Sequence, residues 1–268
     1  MSERPSPFVL IRTKYGSMII NKNDYHMTSP TRGYGIGFQL INKGEYDEAE
    51  MAVSLDLLKS RLTNYGPGVV VVDCGANVGV FTVAWGKALH EVGTVYSFEA
   101  QEKLFYALAG NVVLHNCLNV HARHAAVGSE AGTLAIPEPD YNVPASFGSF
   151  ELKKRDGTED IGQPIDYQKP SLSIPLVTID SLALDRLDFL KIDVEGMEID
   201  VLDGALGTIG RCKPQIFVET FKSDAKVITE KLAPLGYTRK YGMGLNTLYL
   251  HDSDPLQVEV VEQKESVA

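Results

Sequence analysis

The chain has 268 residues, 44% hydrophobic and 22% charged, a balance that suits one large α/β domain or two small ones. A formal net charge of −10 argues against a nucleic-acid partner, and no apolar run reaches the roughly 20 residues of a membrane span. Cys74, Cys117 and Cys212 lie far apart without metal-ligand spacing, and their odd number, with no apolar N-terminal stretch, points to a reducing, cytoplasmic setting.

In chain order, strand-like runs at 8–11 and 17–20 precede a glycine-rich stretch at 33–37 and a predicted helix at 48–62. Residues 69–72, all valine, read as a strand buried on both faces. A helix at 80–90, a strand at 94–98 and a helix at 103–115 follow, the last with Leu104, Phe105, Leu108, Val112 and Val113 on one stripe. Strands are expected at 119–122, 189–192 and 215–218, with helices at 197–209 and 222–235, the second closed by Gly236. A closing pair of strands at 238–241 and 247–251 completes the pattern.

Such alternation predicts a Rossmann-like α/β fold, a mostly parallel sheet with helices on both faces. Its ligand belongs outside the carboxyl ends of the strands. The core domain is expected over 69–252, with 1–68 as an N-terminal extension or lid and 253–268 as a loose polar tail. The proline-rich residues 129–175 read as a long irregular insertion on the acceptor side. The short basic run at 153–155 reads as solvated surface.

The segment Asp73-Cys74-Gly75-Ala76-Asn77-Val78-Gly79 sits where the valine strand gives way to a helix. A ligand passing close to such a turn needs residues without a bulky Cβ or tolerant of positive φ, which Gly75, Gly79 and Asn77 satisfy. Asp73 can accept a hydrogen bond from an ammonium, and Glu99 at the next strand exit offers two acceptors to a ribose diol. The register D-x-G-x-N-x-G lacks the paired glycines of a dinucleotide site. It suits a phosphate-free nucleoside, S-adenosylmethionine, as the bound cofactor.

The stretch from Asp73 to Thr82 resembles the first motif of FkbM-type methyltransferases, and Phe189-Leu-Lys-Ile-Asp-Val-Glu-Gly-Met-Glu198 resembles that family's second hallmark. Looser similarity runs from about Gly44 to Thr220, including Gly44-Glu45-Tyr46, Ala126-Val127-Gly128 and Asn142 with Ser146 or Ser149. The resemblance implies a class I methyltransferase with a seven-stranded sheet. It also implies, most often, methylation of a hydroxyl on a sugar, glycan or secondary metabolite. One departure stands out: a histidine often follows the fifth-strand glutamate in the family, whereas this chain reads Glu219-Thr220-Phe221. The residues expected around the donor are Asp73, Gly75, Ala76, Asn77, Gly79, Thr82, Glu99, Ala100, Asn116, Ala126 and Asp193.

Asp193, Glu195 and Glu219 leave neighbouring strands at one edge, and three carboxylates so placed call for a positive partner. A sulfonium, a cationic substrate or a divalent metal would each serve, although no metal motif is present. Glu195 and Glu198 also suit the start of the helix that follows. Asp193 is the first candidate for the general base and Glu219 the second. His115, His121 and His124 are expected to be structural. Tyr34, Phe38, Glu45 and Tyr46 are candidates for the cofactor mouth, and Tyr141, Asn142, Ser146 and Phe147 for the acceptor pocket. An N-methyltransferase sharing the donor half, or a non-catalytic nucleoside-binding domain, fits the same motifs.

Overall fold

The computed structural model describes residues 4–30 and 32–258. A hairpin of β1 (Phe8–Thr13) and β2 (Gly16–Asn21) opens the chain, then a second hairpin of β3 (His26–Ser29) and β4 (Arg32–Tyr34). Helices α1 (Ile36–Lys43) and α2 (Glu48–Tyr65) lead into the core. The extension is built into the molecule: Met18 and Ile20 are fully buried, and Asn111 bonds the Ile19 amide and carbonyl at 2.6 and 2.9 Å.

The core runs β5 (Val69–Cys74), α3 (Val80–Ala88), β6 (Gly93–Glu99), α4 (Glu102–Leu114), β7 (Val120–His124). Next come β8 (Ala126–Val127), β9 (Gly132–Ile136), β10 (Leu172–Val177) and β11 (Phe189–Ile192). Helices α5 (Glu198–Asp203) and α6 (Leu206–Cys212) precede β12 (Gln215–Glu219), α7 (Ala225–Leu232), β13 (Arg239–Met243) and β14 (Asn246–Leu250).

The main sheet has seven strands in the order β13-β14-β12-β11-β5-β6-β7. The last five are parallel, and β14 is inserted antiparallel beside β12. The strand order reverses between β5 and β11, so the connections leaving these two paired strands turn to opposite sides and flank the ligand crevice expected of such sheets. Their residues 69–72 and 189–192 are almost wholly buried, because helices cover both faces.

Four expectations are corrected. Residues 129–175 hold β9 and the start of β10, which join β8 in a three-stranded sheet. Pro175 belongs to β10, where β8 is too short to pair with it, so the missing N–H costs no ladder bond there. The helix expected at 197–209 is two helices that part at Gly204, whose carbonyl accepts from the Asp180 amide at 2.8 Å and where a Cβ would lie 2.1 Å from the Gly128 carbonyl oxygen. Asp180 caps the second helix through the Gly207 and Thr208 amides at 3.1 and 2.7 Å.

The helix expected at 222–235 starts only at Ala225, where Asp224 caps it through the Lys226 amide at 2.8 Å. That leaves Lys222 in the loop between β12 and α7. The tail is not loose where it is described: Asp254 is buried and meets Arg61 at 3.1 Å, while residues 259–268 lie outside the described residues.

Arg61 also meets Asp188 at 3.1 Å, and Asp188 accepts from Arg186 at 2.7 Å and from the Val70 amide at 2.9 Å. This buried cluster locks α2 to the entry ends of β5 and β11, remote from the crevice. Asp188→Ala should therefore cost about 3 kcal/mol, because it removes one of the two carboxylates that meet the buried Arg61 guanidinium and leaves the Val70 amide without its acceptor. Urea unfolding monitored by circular dichroism measures the loss, and an unchanged midpoint would refute the assignment.

Candidate active site

The β5–α3 turn is shaped by close backbone approach. The Gly75 and Ala76 amides both donate to the Phe98 carbonyl, at 3.0 and 2.9 Å, pinning the turn to β6. Gly75 has φ +86, and a Cβ there would lie 1.7 Å from the carbonyl oxygen of Asp193, so only glycine fits. Asn77 at φ 51 and Gly79 at φ 85 take the left-handed conformations that the turn needs. Glu99 accepts from the Asn77 amide and the Gln101 amide, each at 2.8 Å. Burial pushes its carboxyl up to about 7, and Asp73 adds to the rise.

Beside this turn lies a cleft of about 290 Å³ at the carboxyl ends of the strands. Of the residues expected around the donor, Gly75, Asn77, Glu99, Ala100, Ala126 and Asp193 line it. Asp73 and Ala76 line a smaller hollow of about 20 Å³ beside it, which also touches Gly75, Asn77 and Asp193. Gly79 and Thr82 sit behind the wall: Gly79 packs on Leu108, and the Thr82 hydroxyl donates to Asp73 Oδ2 at 2.6 Å. Asp73 Oδ1 is buried without a partner. Its carboxyl is pushed up by burial and pulled back chiefly by Lys191.

Asn116 is placed elsewhere. It follows α4, whose chain leaves the cleft edge and returns to the start of β7, so it lies at the far edge of the sheet and does not line the cleft. The histidines also stay away from it: His115 lies against Gly16, His121 stacks on Tyr96, and His124 stacks on Phe105.

Along the neighbouring strand exits, carboxylate oxygens of Asp193, Glu195 and Glu219 come within 4.8 Å of one another. Their positive partners are two lysines that the sequence reading passed over. Lys191, inside β11 and nearly fully buried, meets Asp193 Oδ2 at 2.7 Å. Burial alone would depress its ammonium, but Asp193 and Asp73 outweigh that and hold it charged. Lys222, only 6% exposed at its side chain, meets Glu195 at 2.5 Å and Glu159 at 2.8 Å, and donates to the Ser149 carbonyl at 2.9 Å.

Two of the three carboxylates are thus paired, and Glu219 forms no ion pair among the described residues. Its Oε2 is buried without a hydrogen bond. Burial, reinforced by Asp193 and Glu198, pushes Glu219 up to about 8. Glu195, also raised by burial, is not a helix cap; its φ of 57 turns it toward Lys222. Glu198 instead folds back onto its own loop, accepting from the Gly196 amide at 2.9 Å and the Val194 amide at 3.2 Å.

Lys222 gathers three separate segments around the cleft. Glu159 and Ser149 belong to the insertion, Glu195 to the β11–α5 loop, and Tyr34 of the extension donates to Glu159 at 2.6 Å. Arg155, expected as solvated surface, donates to Glu151 at 2.9 Å and to the Lys222 carbonyl at 2.5 Å, and lies against Gly196. Of the mouth candidates, Tyr34 and Tyr46 line the cleft and Phe38 and Glu45 do not. Ser146 lines it from the insertion, whereas Tyr141 and Phe147 pack behind it and Asn142 faces solvent. Lys222→Met should release this gathering and raise the apparent acceptor KM about tenfold or more, since it leaves Glu159 and Glu195 uncompensated. Steady-state kinetics checks this, and an unaltered KM would count against the arrangement.

The strand order, the glycine-built turn and the cleft are those of class I methyltransferases. The family model described as the Methyltransferase FkbM domain matches residues 73–239, and the chain belongs to that family of S-adenosylmethionine-dependent methyltransferases. It is 30% identical over 148 residues to Methyltransferase 1 of Beauveria bassiana, a match covering 50% of this chain and 57% of that protein. To Methyltransferase sdnD of Sordaria araneosa it is 26% identical over 181 residues, covering 60% of this chain and 70% of that one. The crystal structure of Methyltransferase FkbM from Methylobacillus flagellatus KT superposes with a TM-score of 0.50 at 17% identity, covering 69% of this chain and 44% of that one. The chain thus spans little more than half of the Beauveria relative. Among the described residues no helix is long and apolar enough to cross a membrane.

Proposed function

We propose that this protein transfers a methyl group from S-adenosylmethionine to a hydroxyl of a sugar, glycan or small hydroxylated metabolite. The observation that carries the reading is the cleft itself. It is lined by the Gly75–Asn77 turn and Glu99 and also by Glu219, whose Oε2 is buried without a hydrogen-bond partner among the described residues. The residues present suit the donor. The unpartnered Asp73 Oδ1 can accept from an ammonium, Gly75 lets the turn close against the Asp193 carbonyl at the cleft wall, and Glu99 keeps lone pairs free for a ribose diol. Bound there, the donor would supply a methyl group already activated by its sulfonium.

The chain's own tasks are then alignment and proton removal. Asp193, ranked first as base from the sequence, is held in an ion pair with Lys191 and is better suited to fixing the cleft's charge. Glu219 is the better base, because a carboxyl raised toward the working pH has more affinity for a hydroxyl proton. A general base works ionised, so kcat/KM should rise with pH through about 8 in the free enzyme. Glu99 works the same way on the donor side: below about pH 7 it is protonated and loses an acceptor, so donor affinity should weaken there.

The decisive experiment is incubation with methyl-labelled S-adenosylmethionine and a panel of hydroxylated and amine acceptors, followed by linkage analysis of the product. Label on oxygen supports the reading. Label only on nitrogen would transfer it to the N-methylation reading, and no label on any acceptor would favour a binding role.

A further inference from the structure

Asp24 is buried in the N-terminal extension, and its carboxylate meets backbone amides rather than a cation. Oδ2 accepts from the Gly37 amide at 2.9 Å, in the first turn of α1, and Oδ1 from the Phe147 amide at 3.0 Å, in the insertion. Burial pushes the carboxyl up to about 6, and the amides pull it back. An aspartate suits the place because it offers one acceptor oxygen to each amide, whereas an asparagine would turn an N–H toward one of them. The Phe147 peptide is gripped from its other side as well. Its carbonyl accepts from Gln101 Nε2 at 2.8 Å, and Gln101 Oε1 accepts from the Tyr141 hydroxyl at 3.2 Å. Tyr141 leads back to the extension, since its carbonyl accepts from the Asn21 and Asn23 side chains at 3.0 and 3.2 Å. Gln101 is the residue whose amide donates to Glu99, and it lines the cleft together with Gly35, Ile36, Ser146 and Gly148. A bonded chain therefore runs from the turn at residues 21–24, through Tyr141 and Phe147, to the loop beside the Glu99 carboxylate.

We propose that Asp24 is a positioning residue for donor binding: with Gln101 it fixes the Phe147 peptide, and so holds residues 146–148 and the start of α1 in place around the nucleoside end of the cleft. The inference rests on the reading of Glu99 as the ribose contact and adds that the N-terminal extension sets the donor's affinity. Asp24, Tyr141 and Phe147 lie behind the residues that line the cleft, so their effect on a ligand passes through Gln101, Ser146 and Gly148. Hydrogen bonds to a buried carboxylate are stronger than those between neutral groups, and a buried amide left without its acceptor shifts to find another. Losing one of them should loosen this wall of the cleft. The coupling is reciprocal, so a donor resting against the wall should steady the turn at residues 21–24 in return.

The test is isothermal titration of S-adenosylhomocysteine into the wild type, Asp24→Asn, Gln101→Leu and the double variant at pH 8, with circular dichroism as the check of folding. Each single variant should bind about tenfold more weakly at unchanged stoichiometry, since a displaced wall lowers affinity whereas a partly unfolded sample loses binding sites. The double variant should fall well short of the roughly 100-fold loss that independent effects would give, because both substitutions release the same peptide. Wild-type affinity in Asp24→Asn, whatever its stoichiometry, overturns the proposal, and so do fully additive losses in the double variant. Hydrogen exchange in the wild type needs no substitution: S-adenosylhomocysteine should slow exchange in the turn at residues 21–24, outside the cleft, and no slowing there overturns the proposal too. A wild type that binds no S-adenosylhomocysteine removes the donor reading itself, and this inference falls with it; wild-type binding that the variants leave untouched removes the inference alone.

Discussion

Glu219→Gln should lower kcat by about 10²–10⁴-fold, the usual contribution of a positioned general base. The amide keeps the size and the hydrogen-bonding reach of the side chain but cannot take a proton. Affinity for S-adenosylhomocysteine should therefore hold, because Glu219 ends β12, which β11 separates from β5 with its Gly75 turn and from β6 with Glu99. The pH profile gives the sharper reading. The wild type should show a rising limb through about 8, fixed by burial and by the neighbouring Asp193 and Glu198, and the variant should lose that limb. Asp193→Asn is the companion measurement. It frees Lys191 beside Asp73 and should disturb donor and acceptor binding together, because the ion pair at 2.7 Å stands between the two halves of the cleft. A variant Glu219→Gln with full kcat and an unaltered profile would remove Glu219 from the chemistry.

The second large effect is expected at Gly75→Ala. Its Cβ would be driven to 1.7 Å from the Asp193 carbonyl oxygen, in a conformation at φ +86 that alanine avoids at a cost of about 1–2 kcal/mol even without the clash. The obstacle is backbone, so no side-chain rotation relieves it. Either the β5–α3 turn or the exit of β11 must move. The turn is where we propose that the donor is held and Asp193 directly follows β11, so either shift would alter the cleft that both line. S-adenosylhomocysteine affinity should fall by about 100-fold or more, with a clear drop in melting temperature. Calorimetry of both quantities checks it. Wild-type affinity and stability in the variant would mean that the turn is far more pliable than its contacts with Phe98 and Asp193 suggest.

The parallel core and the position of the cleft were legible because strand and helix periods alternate cleanly from residue 69 onward. In such a sheet the strand exits are where ligands meet the chain. Asp73, Gly75, Asn77, Glu99, Asp193 and Glu219 could be named from that placement together with the glycine register and the family motifs. What escaped depended on tertiary approach. Lys191 stands in the run Phe-Leu-Lys-Ile, where its neighbours say buried strand and nothing local says that its ammonium will face two carboxylates. Lys222 was lost inside a helix that Asp224 in fact starts later. Both lysines answer the need for positive charge that three adjoining carboxylates had signalled. A buried lysine flanking acidic strand exits is the signal that could have found them.

The small sheet in the insertion was hidden by Pro175, which is tolerated only because β8 ends short of it. Asn116 was misplaced because closeness in sequence to β7 says nothing about which end of that strand faces the ligand. Thr82 belongs to the motif but serves it from behind, by fixing one oxygen of Asp73 and leaving the other open.

The central claim is that the Gly75–Asn77 turn and Glu99 hold the nucleoside of the methyl donor. Isothermal titration of S-adenosylhomocysteine into the wild type and Glu99→Gln at pH 8, where Glu99 is ionised, tests it most directly. Micromolar binding in the wild type, weakened about tenfold or more in the variant through loss of a charged acceptor, is the expected result. Absence of heat from the wild type at millimolar ligand, or equal affinity in the two proteins, would contradict it.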